Sequence, residues 1–181
     1  FGEPVEAWEP RGEELLVHSS AAQYRADRLV LAAGAWTPSL LAGLGLPLAV
    51  ERQVQVWLAP PEIAPYQAPG LPIFLVERPA PGMTFYGLPS RDRLTVKVAQ
   101  HHGGELCEVE SLRRTVAADE LSPLRDEVSR AVPGLAGAPV QRTQVCIYTN
   151  TPDYDFVIGA HPGAAGVVIA AGFSGHGFKF S

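Results

Sequence analysis

The chain has 181 residues, 14 Lys and Arg against 19 Asp and Glu, and a formal net charge of −5. No basic run is present to neutralise phosphates, which excludes a nucleic-acid module, and no apolar run approaches the roughly 20 residues of a spanning helix, which excludes a helical membrane protein. Hydrophobic residues at 46% and charged residues at 18% describe a foldable globular chain, and 18 Gly with 17 Pro predict many turns and few long helices.

Two features at the ends, Phe1 without a preceding Met and Ser181 directly after a Gly-rich apolar segment, read as an internal piece of a longer cytosolic, cytoplasmic protein. In chain order, Leu15 to His18 is a short strand and Ala26 to Trp36 a second one. The latter ends in Gly, as a parallel strand buried on both faces does. Thr37 is placed to N-cap, and Pro38 to open, a short helix through Leu41. Strand, glycine, helix is the grammar of a nucleotide-binding α/β layer.

Glu51 to Trp57 alternates polar with apolar, the mark of a half-buried antiparallel strand. Prolines at 60, 61, 65, 69, 72, 79 and 81 keep the next strands short. Ile73 to Val76, Met83 to Gly87 and Arg93 to Val98 are those strands, and they predict a mainly antiparallel sheet. Ser122 as N-cap and Pro123 at the first position predict a helix with an apolar stripe of Leu124, Val128, Ala131 and Val132, stopped by Pro133-Gly134. Strands Thr143 to Tyr148 and Val167 to Ala171 complete the set, and the second runs into Gly172-Phe173-Ser174-Gly175-His176-Gly177-Phe178-Lys179.

That last run brings backbone N–H groups to the carboxyl end of a strand, the edge at which open α/β sheets bind ligands. Its spacing is GxxGxG rather than the dinucleotide GxGxxG, so a tight turn before a helix explains it equally well. Ser174 and His176 do not form a nucleophile elbow, because the final glycine of GxSxG is missing. His101, His102, His161, His176, Cys107 and Cys146 have no metal-ligand spacing, so no metal is expected, and the two cysteines read as small thiols. Lys97 lies between Val96 and Val98 and shares a face with Thr95 and Ala99; it faces either solvent or a cavity in which a cation needs a function.

Two long segments, Val145-Cys146-Ile147-Tyr148-Thr149-Asn150-Thr151-Pro152-Asp153 and Val168 to Ser181, together resemble the monomeric sarcosine oxidase and N-methyltryptophan oxidase family of FAD-dependent amine oxidases. Ala32-Ala33-Gly34-Ala35-Trp36, Arg52-Gln53 and Tyr86-Gly87-Leu88-Pro89-Ser90, followed by Lys97 and His101, extend the resemblance along nearly the whole chain.

The resemblance implies an α/β and α+β fold, with residues 1–48 and 147–181 as part of an FAD-binding layer and 49–146 as a substrate domain on a mainly antiparallel sheet. It implies FAD as cofactor, bonded covalently through the sulfur of Cys146 to the 8α carbon of the flavin. It places Lys97 near flavin N5, where positive charge stabilises superoxide as O2 is reduced. Tyr86, His101 and His176 shape the amine and flavin environment, and Lys179 binds the substrate carboxylate. Gly34, Ala35, Trp36, Gly172, Gly175, Gly177 and Phe178 belong to the segments that contact FAD.

The implied partners are a small secondary-amine amino acid, O2 and the remainder of the protein's own chain. An amino-acid dehydrogenase with another electron acceptor, or an inert fragment, are the alternatives. The family's GxGxxG unit and the arginine that partners the carboxylate-binding lysine have no counterpart in these residues, so the 181-residue chain alone is expected neither to hold FAD nor to turn over.

Overall fold

A computed structural model describes residues 2–79 and 82–180. Pro81 of the loop prolines and Ser181 of the C-terminal motif lie outside the described residues. In chain order the elements are β1 (Val5–Arg11), β2 (Glu14–Ser19), β3 (Gln23–Ala26), β4 (Leu29–Leu31), α1 (Thr37–Leu40), β5 (Ala49–Leu58), β6 (Phe74–Val76), β7 (Phe85–Leu88), β8 (Val96–Gln100), β9 (Glu105–Leu106), α2 (Ser122–Ala131), β10 (Val140–Asn150), β11 (Val157–Ala160) and β12 (Val167–Ala171). The chain divides into two compact units, Phe1–Val50 with Tyr148–Ser181, and Glu51–Ile147.

The first unit holds a three-stranded antiparallel sheet, β1-β2-β3, and a second sheet of order β11-β12-β4. β12 pairs β4 in parallel, Val168 opposite Val30, and β11 in antiparallel sense. Leu15, Leu31, Leu41, Val167, Ile169 and Ala171 form its core. The strand around Leu29 is not buried on both faces, as its sequence predicts: Val30 is 62% exposed, with Val168 at 40% and Ile158 at 65%. The second layer that such a strand needs is not built by the described residues.

The Thr37 hydroxyl does not cap α1. A 3-10 turn over Gly34–Trp36 feeds straight into the helix, which leaves Thr37 itself helical and its side chain without a capping bond.

The second unit is built on one large sheet, of order β10-β5-β8-β7-β6, with β9 paired to β5. β5 with β8, β8 with β7 and β7 with β6 are antiparallel. Alternation along these strands sends Val56, Leu58, Phe85, Val96 and Val98 to one face, where Leu121, Leu124, Val128 and Leu135 from α2 and its flanks close the core. Leu124 and Val128 are buried, as the stripe predicts, whereas Ala131 is exposed. Ser122 is not the N-cap of α2. A 3-10 turn over Asp119–Leu121 precedes the helix, so Leu121 takes that position and Ser122 is already helical.

The polar residues of β5 depart furthest from expectation. Glu51, Arg52 and Gln53 are buried rather than solvent-facing. The guanidinium of Arg52 donates to Glu120 Oε2 and to the carbonyls of Arg113 and Thr115, each at 2.7 Å. Glu51 accepts from the Gln53 side chain and, at 2.5 Å, from the N–H of Gly104. These bonds tie the segment 104–120 to the sheet and satisfy charges that burial alone would penalise.

Candidate functional site

The sheet face of the second unit opposite its core carries several of the side chains that the sequence singles out. Trp57 of β5 and Leu88 of β7 both stand opposite Lys97 of β8, and Tyr86 stands opposite Ala99. Directly paired residues project to the same face, which groups Trp57, Tyr86, Leu88 and Lys97 there. On β10, Arg142 and Cys146 are four residues apart and so share a face.

The ammonium of Lys97 lies 5.4 Å from the Trp57 ring centroid and 5.8 Å from that of Tyr86. The guanidinium carbon of Arg142 lies 3.8 Å from the Trp57 centroid. Two cations therefore share one indole, whose electron-rich face attracts each of them.

A cleft of about 600 Å³ opens beside this group, lined among others by Trp57, Leu88, Arg91, Asp92, Lys97 and Arg142. Its one carboxylate is already committed. Asp92 accepts bonds from the hydroxyl of Thr95 at 2.6 Å and from the N–H groups of Thr95 at 2.8 Å and Leu94 at 2.9 Å, and these hold its pKa at about 2. Burial pushes the Lys97 ammonium below the ordinary lysine value; neighbouring Cys146 opposes that shift and Arg142 adds to it. Among the described residues no carboxylate is one of the groups acting on Lys97.

Of the other residues that the sequence singles out in this unit, the His101 ring meets Tyr86 edge-on at 6.3 Å and lies 4.1 Å from His102. Cys146 and Cys107 are both half-buried free thiols. Burial raises the Cys107 thiol above its ordinary value. Among the described residues no group of three or more His, Cys, Asp or Glu side chains is placed to hold a metal ion.

In the first unit the C-terminal run forms a tight loop after β12. Gly172, Ser174 and Gly175 all have left-handed φ, at +64°, +47° and +76°. Side chains on the two glycines would be strained there, and would also collide with Thr151 and with the Tyr148 ring. Ser174 is buried and knits the loop: its hydroxyl donates to Gly172 O at 3.0 Å, and its N–H donates to Thr149 O at 3.0 Å. It acts as a strut, in keeping with the absence of an elbow motif.

His176 Nε2 lies 3.0 Å from Tyr154 O, and its ring lies 4.9 Å from Phe156. Gly177 packs against the Phe173 ring. Phe178 and Lys179 are exposed, with Lys179 Nζ 5.2 Å from the Phe180 centroid. Gly34, also left-handed, faces open space; Ala35 is buried and Trp36 exposed. The Thr37 hydroxyl that follows is buried with no hydrogen-bond partner among the described residues.

Sequence reasoning brings Lys97, Tyr86, Cys146 and His101 forward but misses Trp57 and Arg142 as members of the group. The four-residue spacing from Arg142 to Cys146 is the signal that finds the arginine once the strand is recognised.

The whole chain, residues 1–181, matches the model of the DAO family, FAD dependent oxidoreductase. It is 42% identical to a monomeric sarcosine oxidase from Streptomyces avermitilis, over 99% of this chain and 47% of that enzyme. It is 31% identical to an N-methyl-L-tryptophan oxidase from Citrobacter koseri, over 100% of this chain and 47% of that enzyme. The chain thus spans about half the length of these relatives. Its fold superposes on glycine oxidase from Geobacillus kaustophilus with a TM-score of 0.72 at 22% identity, covering 97% of this chain and 44% of that one. Amadoriase I from Aspergillus fumigatus gives 0.76 at 21%, covering 96% and 41%. The match of the family model along residues 1–181 makes this chain a member of the FAD dependent oxidoreductase family.

Proposed function

We propose that the full-length protein oxidises N-methyl or other secondary amino acids to imines and passes the electrons to O2, giving hydrogen peroxide. The observation that carries this reading is the Lys97 ammonium, near two aromatic rings beside an open cleft and with no carboxylate among the described residues that act on it. A cation left unneutralised at the edge of a cleft is suited to favour negative charge that develops next to it.

FAD supplies the two-electron redox chemistry when bound, and the residues present fit it. The open backbone at Gly34 and the unpartnered buried hydroxyl of Thr37 provide polar groups that a cofactor can satisfy. The half-buried thiol of Cys146 is the residue assigned to hold the cofactor covalently, on the same face as Lys97. Ala35, Trp36, Gly172, Gly175, His176, Gly177 and Phe178 are assigned to the cofactor's surroundings, Lys179 to the substrate carboxylate, and Tyr86 and His101 to the amine. Residues 1–48 and 147–181 form the cofactor-binding part and 49–146 the substrate part.

The test is turnover of the FAD-loaded full-length protein on sarcosine and larger N-methyl amino acids, with peroxide and the demethylated amino acid measured together. Equal yields of the two are expected. Oxidation that needs a dye acceptor and gives no peroxide would overturn the choice of O2, and no oxidation of any secondary amino acid would overturn the substrate class.

A further inference from the structure

Arg142 is exposed and stacked on Trp57, and nothing in the family match or in the sequence motifs gives it a part. Its place in the sheet does. β5 lies between β10 and β8, so the Trp57 indole rises between the strand that carries Arg142 and the strand that carries Lys97.

We propose that Arg142, stacked on Trp57, is a positioning residue for Lys97: the indole keeps the two cations apart while the guanidinium confines the ammonium to the Trp57 and Tyr86 faces. The proposal rests on the reading of Lys97 as the cation that meets O2.

The groups around the ammonium make the argument specific. Trp57 comes from β5, Tyr86 and Leu88 from β7, and Arg142 and Cys146 from β10, while Arg91, Asp92 and Thr95 precede β8. Asp92 is the carboxylate in this set, and it is held by Thr95 and Leu94. An ammonium with three rotatable donors on a flexible stem would wander in such a cleft. Two ring faces attract it without cancelling its charge, and the guanidinium, 3.8 Å from the Trp57 centroid and carried by the strand on the other side of β5, repels it toward β7. The planar guanidinium can stack flat on the indole, a geometry that lysine lacks.

The sequence contains two lysines, Lys97 and Lys179. With 13C-labelled lysine in the flavin-free full-length protein, the side-chain ε-carbon signal missing from K97R is that of Lys97 and the one missing from K179R is that of Lys179. In the unsubstituted protein the Lys97 signal is expected upfield of the random-coil position, through the ring currents of Trp57 and Tyr86. Arg142→Gln is expected to raise the pH midpoint of Lys97, because a like charge is lost, and to weaken its upfield displacement. Arg142→Lys keeps the charge but not the stack, and is expected to hold the midpoint while still losing displacement.

A Lys97 signal at the random-coil position in the unsubstituted chain would overturn the proposal without any variant. So would a Lys97 midpoint and displacement unmoved by Arg142→Gln. This readout is independent of oxygen chemistry: if Lys97 does not meet O2, a full-length K97M protein reoxidises normally whatever the spectra give.

Discussion

The two units differ in how they use a sheet. In the second unit one face is sealed by α2, with Val56, Phe85, Val96 and Val128 fully buried, and the other carries the aromatic and cationic group around Lys97. In the first unit the β11-β12-β4 sheet has one packed face, while Val30, Ile158 and Val168 stand exposed on strands that in such a layer are normally covered on both sides. The second unit thus carries a packed core under the face that holds Lys97, whereas the first presents apolar surface that a further layer would cover.

Breaking the stronger unit should have the largest effect. Phe85→Ala removes a fully buried ring that packs on Phe74, and is expected to cost about 3–5 kcal/mol, read as a lower denaturant midpoint. The ion network around buried Arg52 comes next. Glu120→Gln weakens bonds from Arg52, Arg113 and the N–H of Ala117, and is expected to cost about 1–3 kcal/mol at neutral pH.

The same carboxylate gives the unit a pH signature. The Arg113 guanidinium first, then the Ala117 N–H and Arg52, lower the Glu120 pKa from 4.5 to about 2. A depressed folded value means that the contribution is complete above pH 4.5 and is lost as pH falls toward 2. Acid titration of stability should therefore be shallower in Glu120→Gln than in the unsubstituted protein. The remaining slope comes in part from Asp92, also held at about 2 by Thr95 and its neighbours.

The smallest effect is expected on the exposed face of the first unit. Val168→Thr keeps the branched shape and removes no buried contact on that face, so the thermal midpoint of this chain should shift by an amount equivalent to about 0.5 kcal/mol or less. A loss comparable to that of Phe85→Ala would mean that the face is packed after all, and the contrast between the units would fail.

Legibility in the sequence followed the range of the interactions. β12 occupies the residues its pattern predicts, Val167–Ala171, because its apolar run is bounded by Gly166 and Gly172. β8 starts at Val96 rather than Arg93, because the Asp92 carboxylate takes the N–H groups of Leu94 and Thr95 and Arg93 turns into left-handed φ. Burial of Glu51, Arg52 and Gln53 defeats local patterning, because the partners of Arg52 lie more than 60 residues downstream.

The site divides in the same way. Lys97 shows itself by interrupting Val96 and Val98, and the Cys146 and Gly172 segments by their motifs. The meeting of Trp57 with Arg142 depends on β5 lying beside β10, which no local pattern encodes.

The central claim is that the unneutralised cation on the open sheet face serves the encounter with O2, and it is tested most directly by separating the half-reactions of full-length, FAD-loaded Lys97→Met. The account predicts that anaerobic flavin reduction by a secondary amino acid persists near its original rate, while reoxidation by O2 slows by at least tenfold, the factor that corresponds to about 1.4 kcal/mol of lost stabilisation. Equal slowing of both half-reactions, or reoxidation at the original rate, would contradict it.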